Sequence, residues 1–210
     1  MIFRVFNENI RLGCYFHNTH RVENVALMQM EQKFICWTES ELHAEIALLS
    51  PTAVIAIDGL NGAGKSWIAE RIASKFGWKL IKCDDFIKCG QLPYPNVLYL
   101  HALRQALDQQ SGKTTVVDSV CLKSILKAIG ISAAHHIYVR KRNPDRSLVR
   151  SEFYEAFNPA EMIASAKEIC CAMGDEEPVL DLELVIYHRD YRPLESASIV
   201  FENLIGIEVI

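Results

Sequence analysis

Ala53-Val-Ile-Ala-Ile57-Asp-Gly59-Leu-Asn61-Gly62-Ala63-Gly64-Lys65-Ser66 decides how the rest of the chain is read. Five apolar residues in a row, Ala53 to Ile57, have the form of a strand buried on both faces, as in the interior of a parallel sheet. Gly59 to Ser66 then fulfils the pattern G-x-x-x-x-G-K-[ST], and an amphipathic helix is expected from Lys65 to Phe76. The order strand, loop, helix is what this pattern needs in order to bind a phosphate chain. Glycines let the backbone bend so that successive N–H groups converge, and the helix start adds unpaired N–H groups and the positive end of its macrodipole. Gly59, Asn61, Gly62, Ala63, Gly64, Lys65, Ser66 and Trp67 are the expected nucleotide-binding residues. Lys65 would neutralise the β and γ phosphates and the Ser66 hydroxyl would coordinate Mg²⁺.

Outward from the loop, alternating elements extend the sheet. Strands are expected at Lys79 to Cys83, Thr114 to Val117, His136 to Val139 and Ile199 to Phe201, with a further segment at Ile207 to Ile210. Helices are expected at Val97 to Gln109, Leu122 to Ile129, Pro159 to Met173 and Leu180 to His188, and a basic helix after Asn143-Pro144. This is an α/β chain, a three-layer sandwich around a mostly parallel five-stranded sheet, spanning residues 51–210. Residues 1–50 are read as an extension: a β-hairpin from Ile2 to Phe16, then a helix over Glu39 to Leu49 with Ser40 as its N-cap. At 210 residues, half of them hydrophobic, the chain is long enough for one full core and this appendage.

The formal charge of −4 and the pI near 6.0 leave no global positive field for a polyanionic backbone, so nucleic acid is not expected as a partner. The N-terminus lacks the features of a signal peptide and no window is long and apolar enough to span a membrane, which implies a cytoplasmic location and no membrane partner. Seven cysteines at irregular spacing read as reduced thiols. The group Cys14, His17, His20 and Cys36 matches no standard zinc spacing. A homodimer is left open.

Phosphoryl transfer requires a carboxylate for the metal and another near the acceptor. Asp118 ends an apolar strand and is the metal-side candidate, or else a cap of the following helix. Asp84-Asp85 follows the second strand, so one of the two could take a proton from an acceptor, or both could form a solvated turn. Arg146 and Arg150, four apart on the expected basic helix, could close over the phosphates or lie on a solvated face.

Residues of about 52 to 203 resemble the uridine kinase and nucleoside kinase group of P-loop kinases, with its nicotinamide riboside kinase-like and phosphoribulokinase-like relatives. The resemblance rests on Ile55 to Ser66, on Lys82-Cys-Asp-Asp-Phe86, on Val116-Val-Asp-Ser-Val-Cys-Leu122, and on Tyr187-His-Arg-Asp-Tyr-Arg-Pro193 with Ile199-Val-Phe201. It implies ATP and Mg²⁺ as cofactors, Asp84 as catalytic base, Asp118 on the metal and a small-molecule hydroxyl as acceptor. Several positions depart from the group. Leu92-Pro-Tyr-Pro-Asn96 stands where nucleoside-specific members carry Asp-His-Pro, Ser119 replaces a glycine, and Trp67 replaces a small residue. A GTPase switch is disfavoured because no Asn-Lys-x-Asp segment is present, and a nucleoside monophosphate kinase would carry a denser arginine lid. The rival class is a nucleotide-binding regulatory module without turnover.

Overall fold

The computed structural model describes residues 33–49, 52–88, 97–151, 158, 160–164 and 179–204. The chain divides into two compact units, Met1–Met30 and Glu31–Ile210, and the described residues belong to the second. Six strands form one sheet: β1 (Phe34–Cys36), β2 (Val54–Gly59), β3 (Lys79–Lys82), β4 (Thr115–Asp118), β5 (His135–Arg142) and β6 (Ile199–Leu204). Their order is β1-β6-β5-β2-β4-β3 and every pairing is parallel.

Period-two alternation along β2 assigns its side chains to the two faces. Ile55 and Ile57 enter a core with Leu42, Ile46, Ile68, Ile72, Ile137, Val139 and Phe201. Ala56 faces the other core, with Ile81, Leu103, Leu107, Val117, Leu122 and Ile125. Helices α1 (Glu39–Ile46) and α2 (Lys65–Phe76) therefore cover one face, and α3 (Leu100–Asp108) and α4 (Leu122–Ala128) the other. A fifth helix, α5 (Val179–Tyr191), contributes Leu184, Val185 and Tyr187 to a third cluster with Leu60 and Cys121. Each large aliphatic side chain withdrawn from water in these layers contributes roughly 1.5–3 kcal/mol.

Three expectations change. The sheet has six strands rather than five, because Phe34, Ile35 and Cys36 pair with Ile199, Val200 and Phe201. This edge strand and α1, read as part of an extension, thus belong to the sheet unit. The cap of α1 is Thr38, not Ser40: its hydroxyl accepts from Glu41 N–H at 3.2 Å while the Glu41 carboxylate accepts from Thr38 N–H at 3.1 Å, a capping box. No basic helix follows Asn143-Pro144. There β5 runs on to Arg142 and the chain turns back, with Asn143 N–H donating to Ser147 O at 2.9 Å and Val149 N–H to Lys141 O at 3.0 Å. The Asp145 carboxylate accepts from Ser147 N–H at 2.8 Å, an Asx-type bond that competes with helix initiation. The hairpin expected at Ile2 to Phe16, the segment at Ile207 to Ile210, and most of the helix expected at Pro159 to Met173 lie outside the described residues.

Candidate active site

Parallel strands all point their carboxyl ends to one edge, and there β2, β4 and β3 deliver the phosphate-binding loop, Asp118 and the Asp84-Asp85 pair. Backbone geometry explains two of the loop glycines. A Cβ on Gly59 would lie 2.4 Å from the Val139 carbonyl oxygen of β5, and Gly59 also has φ +149°. Gly64, with φ +95°, is the N-cap of α2, and a Cβ there would meet the Asn203 amide nitrogen at 2.2 Å. That amide instead donates to Ala63 O at 2.8 Å and ties the end of β6 to the loop.

Lys65 is buried, and its ammonium donates to Leu60 O at 2.8 Å, bridging its own loop. Burial pushes its pKa down, while Asp118, Asp58 and Asp84, in that order, pull it up. The Ser66 hydroxyl hydrogen-bonds to Asp118, whose carboxyl is pushed up by burial and held down by Ser66 and Lys65. Asp118 Oδ1 is buried with no hydrogen-bond partner. An orphaned carboxylate oxygen beside a hydroxyl suits a hard cation such as Mg²⁺, which takes oxygen ligands and keeps waters. Among the described residues no group of three or more His, Cys, Asp or Glu forms an all-protein metal cage. The two oxygen donors, Ser66 and Asp118, fit a cation whose remaining positions phosphate and water would fill.

Asp84 and Asp85 lie in a single 3₁₀ turn, Cys83–Phe86, that continues β3, and both are exposed. The turn separates them. Asp84 acts electrostatically on Lys65 and Asp118, whereas Asp85 acts on Lys82. Asp84 is thus the member of the pair whose charge acts on the loop lysine and on Asp118.

Arg146 and Arg150 do not share a helix face; both have positive φ, 69° and 58°, in the turn beyond β5. The Arg146 guanidinium lies 5.3 Å from the centroid of the Trp37 ring, and Arg142 lies 5.4 Å from it. Trp67, which follows the loop serine, is half-exposed, with Arg71 at 5.5 Å over its ring.

Two neighbours of the loop escaped sequence reading. Asp58 is fully buried; its carboxylate accepts from Gly59 N–H at 2.7 Å and from the Tyr187 hydroxyl. Burial pushes its pKa up to about 6 against the opposing pull of Tyr187, Gly59, Lys65 and Lys123. The Tyr187 oxygen in turn accepts from Lys123 N–H at 3.1 Å. One phenol on α5 thereby joins the strand that carries the loop to the start of α4. An aspartate inside a buried strand was the available signal for Asp58, but its partner lies 129 residues away. Of the cysteines, Cys36, Cys83 and Cys121 are buried free thiols, and Cys14, His17 and His20 lie outside the described residues.

No family model matches the chain, and no curated protein sequence matches it. Among solved structures, a possible uridine kinase from Bacillus stearothermophilus is similar at a TM-score of 0.50 and 14% identity, over 78% of this chain and 96% of that one. A gluconokinase from Sinorhizobium meliloti 1021 is similar at a TM-score of 0.36 and 15% identity, over 75% and 85% of the two chains. The first of these likenesses shows the fold: this chain shares the α/β architecture of that structure, a mostly parallel sheet covered by helices. Among the described residues no helix is long and apolar enough to cross a membrane.

Proposed function

We propose that the chain transfers the γ-phosphoryl group of ATP to a hydroxyl of a small metabolite, a nucleoside or a similar sugar-containing compound. The observation that carries this reading is the placement of Asp84. It lies near enough to Lys65 and Asp118 for its charge to act on both, which supports a carboxylate beside the end of a phosphate chain held by the loop.

The loop amides and the start of α2 bind the phosphates. Lys65 exchanges Leu60 O for phosphate oxygens, a better partner for a buried ammonium already drawn by three carboxylates. Ser66 and Asp118 would hold Mg²⁺, which supplies charge neutralisation at the phosphate oxygens. Asp84 accepts the proton of the acceptor hydroxyl as its oxygen bonds to the γ phosphorus. The bond from that phosphorus to the bridging oxygen breaks, and ADP leaves with the electron pair.

Incubation with Mg·ATP and a panel of nucleosides, ribosides and sugars should release ADP only when an acceptor is present. Asp84→Asn should retain ATP affinity and lower turnover by roughly 10²–10⁴, while Asp85→Asn, at a carboxylate whose charge acts on neither Lys65 nor Asp118, should leave turnover near wild type. Unchanged turnover in Asp84→Asn would remove it from the mechanism. ATP binding with no acceptor-dependent ADP would identify a nucleotide-binding regulatory module instead.

A further inference from the structure

A cavity of about 480 Å³ lies on the face of the sheet that α4 covers, lined among others by Lys123, Leu126, Lys127, Ile131, Ser132 and His136. His136 is the second residue of β5 and pairs with Ala56, so its side chain shares the face of Ala56, which α3 and α4 cover. Ala56 precedes Gly59 by three residues, about 10 Å along β2. None of the residues that line the cavity belongs to the phosphate-binding loop.

Its wall holds an unsatisfied group. The His136 side chain belongs to a residue only 9% exposed, yet neither ring nitrogen has a hydrogen-bond partner. Burial, and then the charge of Lys123, push its pKa down to about 4. At neutral pH the ring is therefore uncharged, with one N–H to donate and one lone pair to accept. Buried polar atoms almost always find partners, so two bare nitrogens at a cavity wall point to something the cavity takes up.

The charge around the ring is positive. Lys123 and Lys127 lie four apart, on one side of α4. Lys123 donates to the Ser196 hydroxyl and Lys127 stands 5.6 Å from the centroid of the Tyr191 ring, both uncharged partners. The charges of Asp58 and Glu195 also act on Lys123, but among the described residues no carboxylate lines the cavity. The carbonyls that follow α4 would repel an anion, and these are occupied: Arg104 donates to Ile129 O at 2.6 Å and to Gly130 O at 3.3 Å. Leu126, Ile131 and Ala133 make the rest of the lining largely apolar.

We propose that this cavity binds a small organic anion, its oxyanion headgroup held by Lys123, Lys127 and the His136 ring N–H, and its apolar body resting on Leu126 and Ile131. Two ammonium groups and one N–H match a single carboxylate or phosphate monoester. The apolar lining favours a molecule with more to bury than its headgroup.

The test follows the imidazole resonances of His136, assigned by their absence in His136→Gln, by NMR on the full chain titrated with benzoate, phenyl phosphate and benzyl alcohol. Both anions should shift them with a Kd of about 1–10 mM, and the tighter of the two identifies the headgroup. Benzyl alcohol, which keeps the ring and lacks the charge, should bind about tenfold more weakly. Lys127→Ala, which truncates an exposed side chain, should weaken both anions about tenfold, and Lys127→Arg should stay within about threefold of wild type. Lys65→Ala should leave both affinities within about twofold, which separates this site from anions held by the loop. Resonances that stay fixed up to about 50 mM of either anion overturn the proposal. So does benzyl alcohol binding as tightly as benzoate, or unchanged affinity in a Lys127→Ala variant whose unliganded spectrum matches wild type.

Discussion

Replacing Tyr187 by Phe deletes a single oxygen, and the structure allows its cost to be worked out at two pH values. That oxygen donates to the buried Asp58 carboxylate and accepts from Lys123 N–H. A hydrogen bond to a charged partner contributes about 1.5–3 kcal/mol and one to a neutral partner about 0.5–1.5 kcal/mol, while an orphaned N–H adds about 1 kcal/mol. The folded-state pKa of Asp58 is raised by burial to about 6, from an ordinary 3.8. Its own contribution thus favours folding below the ordinary value and is lost as pH rises through about 6. The Tyr187 bond opposes that rise, so removing it raises Asp58 further and costs most where the carboxylate is charged. Tyr187→Phe should therefore lower stability by about 3 kcal/mol near pH 7.5 and by about 2 kcal/mol near pH 5. Urea unfolding of wild type and variant at both pH values measures the difference, in which unrelated titrations cancel. In an Asp58→Asn background the same substitution should lose its pH dependence. An equal cost at the two pH values would refute the claim that Tyr187 meets a titrating carboxylate.

Two further substitutions probe the frame of the site. Gly59→Ala places a methyl against the Val139 carbonyl of β5, which cannot retreat without breaking the central β2–β5 pairing. It should cost about 3 kcal/mol or more in thermal unfolding, whereas Gly62→Ala, with open space around it, should cost only about 1 kcal/mol for its positive φ. Glu202→Gln leaves Arg140 and Arg142, both largely buried, without their shared carboxylate. A loss of about 3 kcal/mol by denaturant titration is expected, and a neutral result would show that the arginines find other anions.

The amino-acid sequence by itself determined the elements whose cause is local. A continuous apolar run made β2, a glycine pattern made the loop, and helical periodicity made α2, because each signal is complete within about a dozen residues. The acids at the ends of β3 and β4 were legible for the same reason. Composition alone did not separate the two acids of the Asp84-Asp85 pair; the resemblance singled out Asp84, and in the folded chain it is Asp84 whose charge acts on Lys65 and Asp118. Only the tertiary structure decided that Phe34 to Cys36 is a strand: three residues carry too little periodicity, and their register comes from Ile199 to Phe201. The turn after Arg142 reversed a helical expectation because Arg140 and Arg142 are held in β5 by the buried Glu202 carboxylate, some 60 residues away. Asp58 with Tyr187, Asn203 with Ala63, and Trp37 with Arg146 are pairings between distant segments. A sequence lists such partners without their distances, and only the folded chain, which must satisfy each polar group it buries, brings them together.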